Sequence, residues 1–193
     1  GDNSDEFPNI ADESIDSDGD GVGDNSDMFP SNPDQTIDSD GDGYGDNSDG
    51  QDGDVYPTDS SQWADTDRDG YGDNPQGTLA DGCPLVNGFS TEDRYGCPDR
   101  DLDGYSDSDE NWTAQQGADA LPDMISQWTD GDGDGFGDNA TGLMPDKCPT
   151  KPGTSTKAWL PDPTDPLQNT ELESFGCEDN DGDGWADSSE SKD

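Results

Sequence analysis

Six times along this chain, carboxylates stand at alternate positions and run into a glycine. Asp16, Asp18, Asp20, Gly21, Asp24 and Asp27 fill places 1, 3, 5, 6, 9 and 12 of a twelve-residue loop. The same frame recurs at Asp38, Asp40, Asp42, Gly43, Asp46 and Asp49, at Asp99, Asp101, Asp103, Gly104, Asp107 and Glu110, and at Asp179, Asp181, Asp183, Gly184, Asp187 and Glu190. Two further loops keep the first five features: Asp65, Asp67, Asp69, Gly70 and Asp73, and Asp130, Asp132, Asp134, Gly135 and Asp138. Their place 12 is Gln76 or Thr141, and the next carboxylates, Asp81 and Asp146, are expected to complete the shell by a longer return.

Such a frame suits one chemistry. Carboxylates two residues apart converge on a single ion when the chain curls, and glycine at place 6 permits the curl. Place 7 then offers its backbone carbonyl, here from Val22, Tyr44, Tyr71, Tyr105, Phe136 and Trp185. Of the 50 acidic residues 42 are Asp, the shorter and stiffer hard-oxygen ligand. A merely solubilising surface has no reason to avoid Glu. The expected cofactor is calcium, six ions or more. Six divalent ions reduce the formal charge of −43 to −31.

The rest of the composition excludes a conventional globular fold and several classes of partner. Leu, Ile, Val and Phe number 20 of 193 residues. That is about half the fraction below which a highly charged chain normally stays disordered. A conventional apolar core is ruled out. The negative charge opposes nucleic-acid binding, and no apolar run is long enough for membrane insertion. A solvated acidic coil and a chain folded around cations remain, and the regular frame favours the second.

The intervals between loops are rich in Gly, Pro, Ser and Asn, which break helices, so helix-flanked loops are not expected. Instead, Pro8, Pro30, Pro57 and Pro122 each stand eight residues before the next loop, and Ile15, Ile37, Trp63 or Trp128 precedes it closely. With the apolar residues at place 7, these are sufficient to pack one unit on its neighbour. The expected fold is mostly irregular: an elongated array of calcium-wrapped repeats, stapled by disulfides. A simple repeat array is expected over 1–76 and a disulfide-containing array with insertions over 77–193. One short helix is expected between 108 and 128, interrupted by Gly117, and the Pro-rich stretch 157–172 reads as a surface insertion. Gly1–Pro8 matches Gly23–Pro30, which makes Asp2 and Asp5 places 9 and 12 of a loop whose first half is missing. A fragment of a longer protein and a head-to-tail filament subunit are both compatible with that.

Cys83-Pro84 and Cys97, with Ser90-Thr91 between them, parallel Cys148-Pro149 and Cys177, with Ser155-Thr156 between them. This parallel construction favours the pairs Cys83–Cys97 and Cys148–Cys177. Disulfides imply an oxidising compartment. Without His or a CxxC pair, a zinc site is not expected. Asn111-Trp112-Thr113 and Asn139-Ala140-Thr141 match the N-glycosylation pattern.

The loops at Asp16–Asp27, Asp38–Asp49 and Asp179–Glu190 resemble thrombospondin type 3 repeats, D-x-D-x-D-G-x-x-D-x-x-D/E. The segments Ser90–Pro98 and Trp63–Asp67 resemble parts of repeat-rich surface proteins of marine microbes. The resemblance implies an elongated, calcium-wrapped, disulfide-stapled structure at work outside the cell, in adhesion or spacing. The cysteines fall farther from the metal loops than in the animal family, and no Arg-Gly-Asp triplet occurs. The expected function is an extracellular, cell-surface structural protein: a stalk, spacer or filament subunit. The alternative is a calcium-dependent adhesion module recognising a glycan or protein, with Trp112 and Trp159 as contacts. An enzyme is not expected, because the acidic pairs are absorbed by the loops and no nucleophile motif is present.

Overall fold

The computed structural model describes Phe7, Asn9, residues 15–161 and residues 169–187, with backbone alone over 158–161 and 169–172. Asp2, Asp5 and Glu190 lie outside the described residues, as does the side chain of Trp159. The chain forms two compact units, Gly1–Asn87 and Gly88–Asp193.

Among the described residues regular secondary structure is nearly absent. The stretch expected to be helical holds one 3₁₀ turn, Ala114–Gln116, stopped by Gly117 at φ 118°. The stretch read as a plain insertion is a hairpin: β1 (Lys157–Pro161) pairs antiparallel with β2 (Asn169–Glu173), in a register from Lys157↔Glu173 to Pro161↔Asn169. Pro161 sits at the end of its strand, where the missing N–H costs least. The base of the hairpin is tied to the last loop, where Ala186 N–H donates to Lys157 C=O at 2.9 Å.

Among the described residues the buried apolar side chains are Cys97, Ala118, Cys177 and Ala186. The largest fully buried side chains are instead Gln35, Gln62, Gln127, Asp54 and Asp119. A molecule with this interior is held by hydrogen bonds, cross-links and whatever neutralises its carboxylates. Cys148 and Cys177 are joined across a Cα separation of 5.1 Å. Cys83 and Cys97 are also disulfide-bonded, and no free thiol remains.

The apolar residues pack pairwise. Tyr44 stacks on Trp63 at 4.9 Å and Tyr105 on Trp128 at 5.1 Å, so in each case the ring at place 7 meets the residue two before the following loop. Phe136 meets Phe175 at 5.4 Å. Each contact lies within one unit.

Candidate metal centres

Every loop is closed by the same backbone bond. The N–H of place 9 donates to the carbonyl of the residue just before the loop: Asp24 to Ile15, Asp46 to Ile37, Asp73 to Ala64, Asp107 to Pro98, Asp138 to Thr129 and Asp187 to Glu178, at 2.7–3.0 Å. Inside that ring, the carboxylate at place 1 accepts the N–H groups of places 4 and 6. Asp16 takes Gly19 and Gly21 at 2.6 and 3.0 Å, and Asp179 takes Gly182 and Gly184, both at 2.8 Å. These bonds require positive φ at both places. Place 6 is always Gly, but place 4 is Arg68 (φ 66°) and Leu102 (φ 65°) in two loops.

The outcome is convergence. In the loops beginning at Asp16, Asp38, Asp65, Asp99 and Asp130, the carboxylates of places 1, 3 and 5 each bring an oxygen within 4.8 Å of the others, a spacing that can hold a metal ion. The carboxylate at place 9 is steadied by place 2. Ser17 Oγ donates to Asp24 at 2.7 Å, Ser39 Oγ to Asp46 at 2.5 Å and Thr66 Oγ1 to Asp73 at 2.6 Å. Asn180 makes the equivalent bond to Asp187. In the fifth loop place 2 is Gly131, and Asp138 Oδ1 is buried without a hydrogen-bond partner.

Among the described residues, five of the six loops are followed by a buried carboxylate placed by a rule that the twelve-residue frame does not contain. Asp49 and Glu110, assigned to place 12 from the sequence, are both exposed. Asp54 and Asp119 are fully buried instead. They belong to a set with Asp27, Asp81 and Asp146. Each of the five donates its N–H to the carbonyl of place 8 (Gly23, Gly45, Gly72, Ser106 or Gly137) at 2.7–2.9 Å. Each then accepts the N–H of the residue two farther on, at 2.6–2.7 Å. All five open an Asp-x-x-Pro tetrad, ending at Pro30, Pro57, Pro84, Pro122 and Pro149. The prolines were visible as a recurring mark. The Asp three residues before each was the signal that would have found Asp54 and Asp119.

The electrostatics couple these residues to the loop carboxylates. Burial raises the Asp54 carboxyl above its ordinary range, and Asp42, Asp40 and Asp46 push it the same way. Burial carries Asp81 and Asp146 to about 6 and Asp119 to about 7, and in each case carboxylates at places 3, 5 and 9 of the loop add to the rise. Asp27 likewise raises Asp18. Oxygens of Asp27, Asp81, Asp119 and Asp146 are buried without hydrogen-bond partners, as are oxygens of Asp18, Asp40, Asp42, Asp67, Asp101, Asp103 and Asp132. Orphaned buried carboxylate oxygens are costly unless a cation meets them. The donor set is all hard oxygen, which fits calcium.

The two sequon asparagines and Trp112 have definite surroundings. Asn111 is exposed. Asn139 is engaged, its Nδ2 donating to Ser126 C=O at 2.9 Å. Trp112 packs inward: its Nε1 donates to Asp93 at 3.0 Å, and the Arg94 guanidinium lies 5.6 Å from its ring centre.

No protein family, curated protein or solved structure matches the chain. Among the described residues no helix is long and apolar enough to cross a membrane. Two disulfides fit an oxidising, extracellular-type environment.

Proposed function

We propose that this chain is an extracellular calcium-stabilised structural protein, a stalk, spacer or filament subunit at a cell surface, built as an elongated array of calcium-wrapped repeats. The observation that carries the reading is the interior itself. Where a globular domain buries Leu and Phe, this chain buries Asp carboxylates, several with oxygens that no hydrogen bond satisfies. Calcium takes six to eight oxygen ligands in flexible geometry, which five carboxylates and a carbonyl supply, whereas magnesium keeps much of its water. Among the described residues no backbone N–H is bonded to the carbonyl of Val22, Tyr44, Tyr105 or Phe136, the place-7 positions. Thiolate chemistry is closed, because all cysteines are cross-linked.

Ions that bind only the folded chain stabilise it by RT ln(1 + [L]/Kd) per site. At millimolar calcium and a Kd of about 10⁻⁴ M, each site contributes roughly 1.4 kcal/mol. Summed over several sites, this replaces the missing core. Chelation with EDTA should therefore expand the molecule in small-angle scattering and abolish its near-ultraviolet dichroism, with recovery on adding calcium. Scattering and dichroism unchanged by EDTA would overturn the proposal.

A further inference from the structure

Three glutamines have the same surroundings. Gln35, Gln62 and Gln127 each stand three residues before a loop and are almost completely buried. Each side-chain carbonyl accepts the N–H of the Asn at place 10: Asn47, Asn74 and Asn139, at 2.9–3.0 Å. Each side-chain amide donates to the carbonyl of that same Asn, at 2.7–3.1 Å. It also donates to a carbonyl four residues later, Gln51, Thr78 or Leu143, at 3.0–3.1 Å. The Asn side chain returns a bond to the residue before the glutamine, from Asn47 to Asp34 C=O, Asn74 to Ser61 C=O and Asn139 to Ser126 C=O, at 2.8–2.9 Å. The fit is close: a Cβ built on Gly45, Gly72 or Gly137 would stand 2.1–2.2 Å from the glutamine Oε1.

The distribution of these glutamines is informative. In the loop at Asp16 the tetrad aspartate, Asp27, falls at place 12 and the chain returns directly. In the loops at Asp38, Asp65 and Asp130 the tetrad aspartate comes five residues later, at Asp54, Asp81 and Asp146. Those three loops are the ones preceded by glutamine. The position holds Glu13 before the first loop, and Gly96 or Gly176 before the loops that follow a cysteine. The carbonyls that the glutamine amide binds belong to the five-residue return and its entry.

We infer that Gln35, Gln62 and Gln127 are positioning residues for the metal centres: each folds the longer return so that its tetrad aspartate reaches the shell. The inference rests on the calcium reading above. The glutamine touches no ion. It acts as the outer support of a ligand, a role whose loss typically lowers metal affinity about 10–100-fold.

The test uses the full chain and the loop at Asp65. Gln62→Ala is compared with wild type by calcium calorimetry and by terbium luminescence sensitised through the aromatic rings at place 7, Tyr71 among them. We expect one site to weaken about tenfold or more while the others are unchanged. A second background deletes residues 76–80, so that Asp81 falls at place 12 as Asp27 does naturally. There, Gln62→Ala should leave both folding and calcium affinity as they are in the deletion alone. A Gln62→Ala chain that binds calcium like wild type overturns the inference. So does a glutamine whose loss is equally harmful in the short-return background, because it would then be a general packing residue. If Gln62→Ala fails to fold even in saturating calcium, recovery in the short-return background supports the inference and continued failure overturns it. Failure of wild type itself to bind calcium sinks the calcium reading, a result distinct from any of these.

Discussion

The loops at Asp65 and Asp179 share the same carboxylate frame through place 9 and are shut by different chemistry. At Asp65 the latch is a neutral amide: Gln62 bonds Asn74 and Thr78, and Gly72 lies against it. At Asp179 the residue three before the loop is Gly176, and the latch passes to its neighbour Cys177. Cys177 N–H donates to the buried Ser155 Oγ at 3.0 Å, and Ser155 Oγ donates to Ser174 C=O at 2.9 Å. The next residues, Thr156 and Lys157, donate their N–H groups to Gly184 C=O at place 6, at 3.0 and 3.1 Å. Gly153 lies so close to the Cys177 backbone that a Cβ there would stand 2.0 Å from it. The loop at Asp99 repeats the arrangement with Ser90, Thr91, Glu92 and Gly104. Five of the six loops are thus held from outside their twelve residues, three by a glutamine amide and two by a cross-linked segment. Only the second kind is open to reduction.

Reduction is the sharpest way to separate the two. The Cys148–Cys177 bond closes a separation of 29 residues. The chain-entropy account gives its loss a cost of about 3–4 kcal/mol. A reductant in calcium should raise hydrogen exchange over 148–187 far more than over 35–54. Equal loss of protection in both regions would show that the latches are not independent.

The tetrad aspartates come next. Asp54→Asn should weaken one site about tenfold or more, about 1.4 kcal/mol, while Asp49→Asn leaves affinity within error. Asp119→Asn against Glu110→Gln asks the same of a disulfide-latched loop. Greater harm from the place-12 changes would restore the simple frame.

Acid should act in a set order. The Asp119 carboxyl stands at about 7 and that of Asp81 at about 6. Both are raised by burial above the unfolded value of about 4. The folded chain thus binds these protons more tightly than the unfolded chain. In the absence of calcium its stability rises as pH falls from about 7 toward 4 and is lowest above that window. Protons and calcium compete for the same oxygens, so calcium affinity falls over the same range, at the Asp99 loop before the Asp65 loop. Calorimetry on the wild type at pH 7.5, 6.5 and 5.5 tests the order, with Asp119→Asn and Asp81→Asn each expected to remove its own step; a flat wild-type profile contradicts it.

The smallest effect concerns place 4. Leu102 occupies the left-handed region at φ 65°, where four of the six loops have Gly. Leu102→Gly should stabilise the chain by about 1 kcal/mol in thermal melts at fixed calcium. A loss of stability would mean that the exposed Leu102 side chain has a contact worth more than its strain.

The sequence by itself determined what depends on neighbours along the chain. Alternating Asp and the place-6 Gly curl any such segment into the same turn, because place 1 binds the N–H groups of places 4 and 6 within it. The near absence of regular secondary structure followed from the Gly, Pro and Asp content. The boundaries of the shells were decided only in the tertiary structure. Asp49 and Asp54 are equally good carboxylates five residues apart, and choosing between them requires the path of the return. That path is set by Gln35, whose partners are 12 and 16 residues away. The hairpin β1–β2 was hidden for a similar reason, since its partners meet across the Pro-rich stretch at Pro161↔Asn169. Local spacing gathers the carboxylates that one turn can reach, and long-range hydrogen bonds to buried amides and serines hold the chain that carries the rest.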